Sequence, residues 1–235
     1  MPLGVRGLTS LPARGAEHGL WSGGVQYDGR GAATARPEVS RMADYVARAR
    51  DVLAAHVPQR LASDGLTPAA VLVLLAGSAD DPRIVLTVRT SHVEHHKGQI
   101  SFPGGAVHPA DADLVMTALR ETEEEIGVAP EDVDLLGQLD DLVTISDFLV
   151  TPFVGRLLRP LPYAYVTNPL EVAEVIEPPL SELLAPGTLV WENLGTEQAP
   201  RRSPAYHWRG YRIWGATGRM LHDFLSLLAA DSARV

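Results

Sequence analysis

Apolar residues are arranged in two different patterns along this 235-residue chain, one with helical spacing and one of short apolar runs. Just after Met42, apolar residues begin to recur at helical spacing and continue to about Pro58, which predicts a helix with one buried face. Two short runs rich in apolar residues follow at 69–76 and 83–88, separated by turn-forming residues 77–82. Runs of this length between turns predict two buried strands.

Helical spacing of apolar residues recurs at residues 114–126. Asp111 or Asp113 can cap the start of this helix, and Gly127 can end it. Patterns farther along predict strands at 132–138 and 148–158, a short helix after Pro179, a hairpin at 206–214 and a helix at 217–230. Strands that outnumber a few helices favour an α/β (α+β) sandwich.

Residues 1–41 show no apolar periodicity of a helix or a strand and are rich in Gly, Ala, Arg, Ser and Pro. Such a segment cannot bury enough apolar surface to offset its ordering entropy. We therefore expect a disordered N-terminal extension over 1–41, with Met42 as an alternative native start. Residues 42–235 are expected to form a single domain.

Composition narrows the chemistry. Cysteine is absent, which excludes disulfides, thiolate ligands and cysteine nucleophiles. The net charge of −9 argues against a nucleic-acid partner, which requires a basic face. With no apolar run of membrane-spanning length and no secretory signal, we expect a cytoplasmic protein without a membrane partner. An acidic surface repels polyanions, so phosphate chemistry here needs divalent cations.

The helix at 114–126 carries an acidic cluster. Glu121, Glu124 and Glu125 stand at i, i+3 and i+4, so a helix places them on one face. One interpretation is a solvated surface, since acidic helix runs are common. The other is a site for Mg²⁺ or Mn²⁺, which prefer hard oxygen ligands. For Asp140, Asp141 and Asp147 we expect loop-capping roles.

The surroundings of the acidic cluster favour the metal site. Segment 102–128 resembles the Nudix box, with matches at Gly105, Arg120-Glu121, Glu124-Glu125, Gly127 and Val128. Asp111 stands where the family has Glu, and eight residues rather than seven separate it from Arg120. Thr122 fills a position that is usually apolar.

The one-residue expansion is similar to the coenzyme A pyrophosphatase branch of this family. An upstream signature of that branch is also matched across 85–105, at Leu86, Thr87, Arg89, Gly98, Gln99, Phe102, Pro103, Gly104 and Gly105. Glu94 departs from it, because the branch usually has Arg at that position. The resemblance covers roughly residues 69–228 and implies the Nudix fold, a mixed β-sheet sandwiched between helices.

The resemblance also implies an activity, namely metal-dependent hydrolysis of the pyrophosphate bond in coenzyme A or a derivative, giving 3′,5′-ADP and 4′-phosphopantetheine. Mg²⁺ or Mn²⁺ would be held by Glu121, Glu124 and Glu125, while Arg120 would orient these carboxylates. The general base stays open among Glu124, Glu171 and Glu174.

Substrate contacts are expected from Arg89, from Gly104 and Gly105, and from the basic residues His95, His96 and Lys97. For the basic residues, plain solvated surface is the alternative. A Nudix enzyme acting on NADH or a dinucleoside polyphosphate, or an inactive Nudix binding module, also remains open. So does the oligomeric state, a homodimer being one alternative.

Overall fold

The computed structural model describes residues 44–90, 98–194 and 201–232. Within these ranges it contains four α-helices, α1 Tyr45–Ala55, α2 Leu114–Ile126, α3 Leu180–Leu183 and α4 Gly215–Ser232. The strands are β1 Thr67–Ala76, β2 Arg83–Arg89, β3 Ile100–Ser101, β4 Gly104–Ala106, β5 Val133–Gln138, β6 Leu142–Val143, β7 Phe148–Leu157, β8 Val172–Ile176, β9 Leu189–Asn193, β10 Arg202–Trp208 and β11 Tyr211–Ile213.

Strand β1 lies at the centre of the larger, mixed sheet. It pairs in parallel with β7 and antiparallel with β2 and β4. The strand order is β3-β2-β1-β7-β5, and β4, β6 and β8 attach to β1, β7 and β2 respectively. A strand covered on both faces has to be apolar at nearly every position, which explains the almost unbroken apolar run of β1.

The side chains of β1 alternate between two hydrophobic cores. Ala70, Leu72, Leu74 and Ala76 lie in a core that contains Ala118 and Ile126 of α2. Ala69, Val73 and Leu75 belong to the opposite core, which α1 and α4 fill with Leu53, Phe224 and Leu228. The period of two thus directs successive residues to opposite layers. The expected mixed sheet between helices is confirmed.

The smaller sheet has the order β11-β10-β9. Its β10–β11 hairpin turns at Arg209 and Gly210, whose φ angles of 46° and 88° are both positive. Two positive φ values are what a tight two-residue hairpin turn requires, and Gly adopts this conformation without strain. The hairpin predicted at 206–214 is confirmed, with Tyr206 paired to Ile213.

Helix α2 has the bounds that the sequence predicts. Asp113, rather than Asp111, caps it, because the Asp113 Oδ1 accepts a hydrogen bond from the Met116 N–H at 2.8 Å. Gly127 ends the helix with φ 71°. The short strands β3, β4 and β6, together with β8 and β9, were not predicted.

The predicted extension over 1–41 lies outside the described residues, so both it and the single domain over 42–235 stay predictions. None of the helices in the described ranges combines the length and apolar character needed to cross a membrane.

Candidate active site

Two consecutive glycines let β4 approach both β1 and α2. A Cβ on Gly104, where φ is 148°, would lie 2.4 Å from the Ala70 carbonyl oxygen. A Cβ on Gly105 would lie 2.6 Å from the carboxyl carbon of Glu121. Both distances are shorter than real Cβ contacts allow. Gly104 therefore permits close strand pairing, and Gly105 leaves room for an acid of the α2 face.

The Arg120 guanidinium donates hydrogen bonds to several carboxylates of the acidic face. Its Nε and Nη2 donate to the two Asp111 carboxylate oxygens at 2.9 and 3.0 Å. Its Nη1 donates to Glu121 Oε1 at 2.8 Å and to Glu124 Oε2 at 3.1 Å. A further bond joins Nη2 to the Ala106 carbonyl at 3.2 Å. The rigid guanidinium fork thus fixes several carboxylates at once, as a lysine could not.

Asp111 anchors the guanidinium from a buried position. Its side chain is only 1% exposed, and it also accepts hydrogen bonds from the His108 N–H at 2.9 Å and the Thr117 hydroxyl at 2.8 Å. The hydrogen bond from Arg120 is the main reason that the pKa of Asp111 is held well below its usual range. Asp111 is therefore an ionised partner of Arg120.

Glu125 has a different environment. Its side chain is 4% exposed. Among the described residues, its carboxylate has polar contacts with the Gly104 N–H at 3.4 Å and the Arg89 Nη1 at 4.0 Å. Burial raises the pKa of Glu125 to about 8, the Arg89 charge and the Gly104 N–H oppose this, and the charges of Glu171 and Glu121 add to it. Within the described residues, this carboxylate is buried near like charges, and its nearest cationic group, the Arg89 guanidinium, is 4.0 Å away.

The residues of this face suit a hard divalent cation. No group of three or more acidic or histidine side chains in the described part of the chain is already arranged to hold a metal ion. Yet Glu121 and Glu125 share a face, and burial raises the pKa of Glu121 as well. A cation between these carboxylates would offset both burial and mutual repulsion. The donor set therefore fits Mg²⁺ or Mn²⁺.

The other residues that the sequence analysis singled out have different surroundings. Glu124 is bound to Arg120, with 58% of its side chain exposed. Glu174 is exposed on β8, where its Oε2 accepts a hydrogen bond from the Tyr211 hydroxyl at 2.8 Å. Arg89, at the end of β2, lies beside Glu125. His95, His96, Lys97 and Glu94 lie outside the described residues.

Two features of the site escaped the sequence analysis. Thr122 is fully buried, and its hydroxyl donates to the Ala118 carbonyl at 2.7 Å, which satisfies a polar group in an apolar position. Asn168 donates its N–H to the Glu125 carbonyl at 2.9 Å. No pattern in the sequence pointed to Asn168, because it is more than forty residues from Glu125 and is joined to it by backbone.

Comparison with known proteins agrees with this geometry. The NUDIX domain model matches residues 66–183. A protein named uncharacterized Nudix hydrolase NudL from Photorhabdus laumondii is 35% identical over 166 residues, which cover 71% of this chain and 87% of the relative. The NudL protein of Escherichia coli is 34% identical over 155 residues, 66% of this chain and 79% of the relative.

Among solved structures, a MutT/nudix family protein from Enterococcus faecalis aligns with a TM-score of 0.45 at 17% identity, over 74% of this chain and 65% of that chain. The family model and the sequence relatives together with the box geometry settle the family. The chain belongs to the Nudix family of hydrolases.

Proposed function

We propose that this protein is a coenzyme A diphosphatase, which hydrolyses the pyrophosphate bond of coenzyme A or its derivatives. The products are 3′,5′-ADP and 4′-phosphopantetheine or its acyl derivative. The observation that carries the proposal is the position of Arg89. This residue of the upstream signature has its guanidinium 4.0 Å from Glu125, at the rim of the acidic face.

The rest of the signature supports that position. Leu86 and Phe102 are buried, and the Thr87 hydroxyl lies 3.0 Å from the Ser101 hydroxyl, joining β2 to β3. These residues hold the end of β2 in place. Arg89 is 30% exposed, and its fixed positive charge can bind a substrate phosphate beside the carboxylates.

The acidic face supplies the remaining chemistry. Bound Mg²⁺ or Mn²⁺ would neutralise phosphate charge and lower the pKa of a water molecule. Glu121 and Glu125 would hold the cation, with Glu124 at the outer edge of the same face. Arg120 keeps Glu121 and Glu124 oriented through the hydrogen bonds of its Nη1. This preorganisation spares the site the cost of ordering its carboxylates during the reaction.

Three carboxylates remain candidates for the group that positions or deprotonates the attacking water. Glu124 is engaged by Arg120, and Glu174 is engaged by Tyr211. The Glu171 charge acts on both Glu121 and Glu125, whose pKa values it raises. We favour Glu171, because the next residue, Val172, pairs with Arg89 and so places Glu171 beside the proposed phosphate-binding residue, and because its charge also contributes to the cation-binding face.

A substrate panel tests the proposal. The full chain is incubated with Mg²⁺ or Mn²⁺ and with coenzyme A, acetyl-coenzyme A, dephospho-coenzyme A or NADH, and the products are separated by chromatography. We expect 3′,5′-ADP and 4′-phosphopantetheine from coenzyme A, with a kcat/KM above that for NADH. A chain with Glu125→Gln serves as the inactive control, because it keeps the shape of the site.

The panel also separates the alternatives. Preference for NADH or a dinucleoside polyphosphate would replace coenzyme A as the substrate and leave the family assignment intact. Absence of metal-dependent turnover on every nucleotide would favour a binding module. His95, His96 and Lys97 stay predicted contacts for the 3′-phosphate. Their involvement requires coenzyme A to be preferred over dephospho-coenzyme A.

A further inference from the structure

Asn168 joins the end of α2 to the beginning of β8. Its N–H donates to the Glu125 carbonyl at 2.9 Å. Its own carbonyl accepts the N–H groups of Glu171 at 3.1 Å and Val172 at 2.8 Å. One residue thus fixes the backbone of Glu171 relative to the helix that carries the acidic face.

The two polar atoms of the Asn168 side chain have separate partners. Oδ1 accepts a hydrogen bond from the Leu170 N–H at 3.1 Å, which closes a local turn. Nδ2 donates to Glu171 Oε1 at 3.4 Å. The first contact stabilises a backbone turn, whereas the second orients the Glu171 carboxylate.

The residue that follows β2, Thr90, binds the backbone of Glu171 from the other side. The Glu171 carbonyl accepts the Thr90 N–H at 2.9 Å, and the next residue, Val172, pairs with Arg89. Glu171 therefore lies between the two elements that carry Glu125 and Arg89. Its charge raises the pKa of Glu125, which supports this proximity.

We propose that Asn168 is a positioning residue, whose side-chain amide turns the Glu171 carboxylate toward the cation-binding face of α2. This inference rests on the proposed metal-dependent function. The amide N–H matters here because a third carboxylate placed near Glu121 and Glu125 is repelled by both. A neutral donor holds Glu171 against that repulsion without competing with the cation, as Lys or Arg would.

Serine at position 168 separates the two contacts of the side chain. Its hydroxyl can still accept the Leu170 N–H, although more weakly, but it is too short to reach Glu171 and adds no charge. The test compares Asn168→Ser, Glu171→Gln and the double variant. Asn193→Ser is the matched control, since the Oδ1 of Asn193 accepts the Arg201 N–H in a similar way.

Two measurements are made on each full-length variant. Free Mn²⁺ is followed by electron paramagnetic resonance to obtain the Kd without any substrate, and kcat is measured with coenzyme A. Loss of such an orienting partner typically weakens metal binding or activity by about 10–100-fold. Because the hydrogen bond from the Asn168 amide to Glu171 is long, we expect the Mn²⁺ Kd and kcat to change by about tenfold in Asn168→Ser. We expect no change in either for Asn193→Ser.

The coupling between the Asn168 and Glu171 substitutions decides whether Asn168 acts through Glu171. If Asn168 acts through Glu171, adding Asn168→Ser to Glu171→Gln changes the Mn²⁺ Kd and kcat by less than about twofold. Equal losses in both backgrounds, or an Asn168→Ser chain that binds Mn²⁺ like the unaltered protein, would overturn the proposal. A protein that binds Mn²⁺ but cleaves no nucleotide would overturn the proposed function instead, and the Mn²⁺ comparison would still decide the role of Asn168.

Discussion

The acidic face of α2 and the Asp140–Asp141 pair contain the same chemical groups in different surroundings. Asp141 has a side chain that is 4% exposed, and its two oxygens accept hydrogen bonds from the Leu61 N–H at 3.0 Å and the Thr151 hydroxyl at 2.7 Å. Asp140 Oδ1 accepts the Gln59 N–H at 2.9 Å. These acids cap loop backbone, as the sequence analysis expected.

Glu125 is as buried as Asp141 and has weaker partners. Its nearest described donors are 3.4 and 4.0 Å away, whereas both oxygens of Asp141 have donors within 3.0 Å. A buried carboxylate with a full set of donors stabilises the fold. One that lacks them costs stability unless a cation is bound. Burial alone therefore does not distinguish the two acids, whereas the longer donor distances of Glu125 among the described residues do.

The largest expected difference between the two regions is in catalysis. Glu125→Gln removes the charge of a proposed metal ligand and keeps its shape, so kcat should fall by several orders of magnitude. Asp141→Asn is the matched control, because it makes the same carboxylate-to-amide change at equal burial, and it should keep kcat. Retention of more than about a tenth of kcat by Glu125→Gln, a loss below about 1.4 kcal/mol, would remove Glu125 from the site.

A second difference concerns pH and the free energy of unfolding without metal. The pKa of Glu125 is raised from 4.5 to about 8. Between these two pH values the folded protein keeps a proton on Glu125 that the unfolded chain releases. The free energy of unfolding that Glu125 contributes therefore falls as the pH rises from about 4.5 to about 8, and it levels off above that range.

Urea denaturation in EDTA measures this second effect. The difference in unfolding free energy between the unaltered protein and Glu125→Gln should shrink, or change sign, between pH 5 and pH 8. Excess Mg²⁺ should reduce the change. Parallel pH curves for the two proteins would mean that Glu125 is solvated more fully than its burial implies.

A third difference is in stability at constant pH. Asp141→Asn turns one acceptor oxygen into a donor amide facing another donor, either the Leu61 N–H or the Thr151 hydroxyl. A buried donor left without its acceptor costs roughly 1–3 kcal/mol. Urea denaturation at pH 7 should show this loss, while Glu125→Gln should show none. An Asp141→Asn protein of unchanged stability would erase the distinction between the clusters.

The smallest expected effect lies within the capping pair. Asp140 has a side chain that is 46% exposed, so water can replace part of its bonding to Gln59 and His56. Asp140→Asn should therefore cost about 1 kcal/mol or less. The same denaturation experiment compares it with Asp141→Asn, and an equal or larger loss at Asp140 would show that burial does not set the cost.

The sequence predicted those parts of the site that depend on local spacing. Helix α2 was predicted from end to end, because its apolar period, the Asp113 cap and Gly127 are all local signals. The shared face of Glu121 and Glu125 followed from the helical period. From the family resemblance Arg120 was expected to orient Glu121, Glu124 and Glu125; in the structure it bonds to Glu121 and Glu124, whereas the cationic neighbour of Glu125 is Arg89.

Other parts depend on contacts that spacing does not reveal. Strand β4 is three residues long, too short for an alternating pattern. Asp111 was interpreted as one of two possible helix caps, although its carboxylate accepts a hydrogen bond from the side chain of Arg120, farther along in α2. Asn168 reaches Glu125 through backbone atoms alone, so its residue type carried no signal for that contact.

The parallel pairing of β1 with β7 has a consequence for how the protein is made. Thr67 pairs with Phe148, so roughly 80 residues separate the two partners. Such distant pairing has to close a long loop and slows folding. During synthesis, α2 leaves the ribosome before β7 does, while the apolar edge of β1 is still unpaired.

An apolar strand edge that waits for its partner invites intermolecular pairing. We therefore expect the yield of active protein to fall as the interval between the emergence of β1 and of β7 lengthens. Slower translation between residues 76 and 148 would lengthen the exposure of that edge, and chaperones that shield it would raise the yield without touching the site.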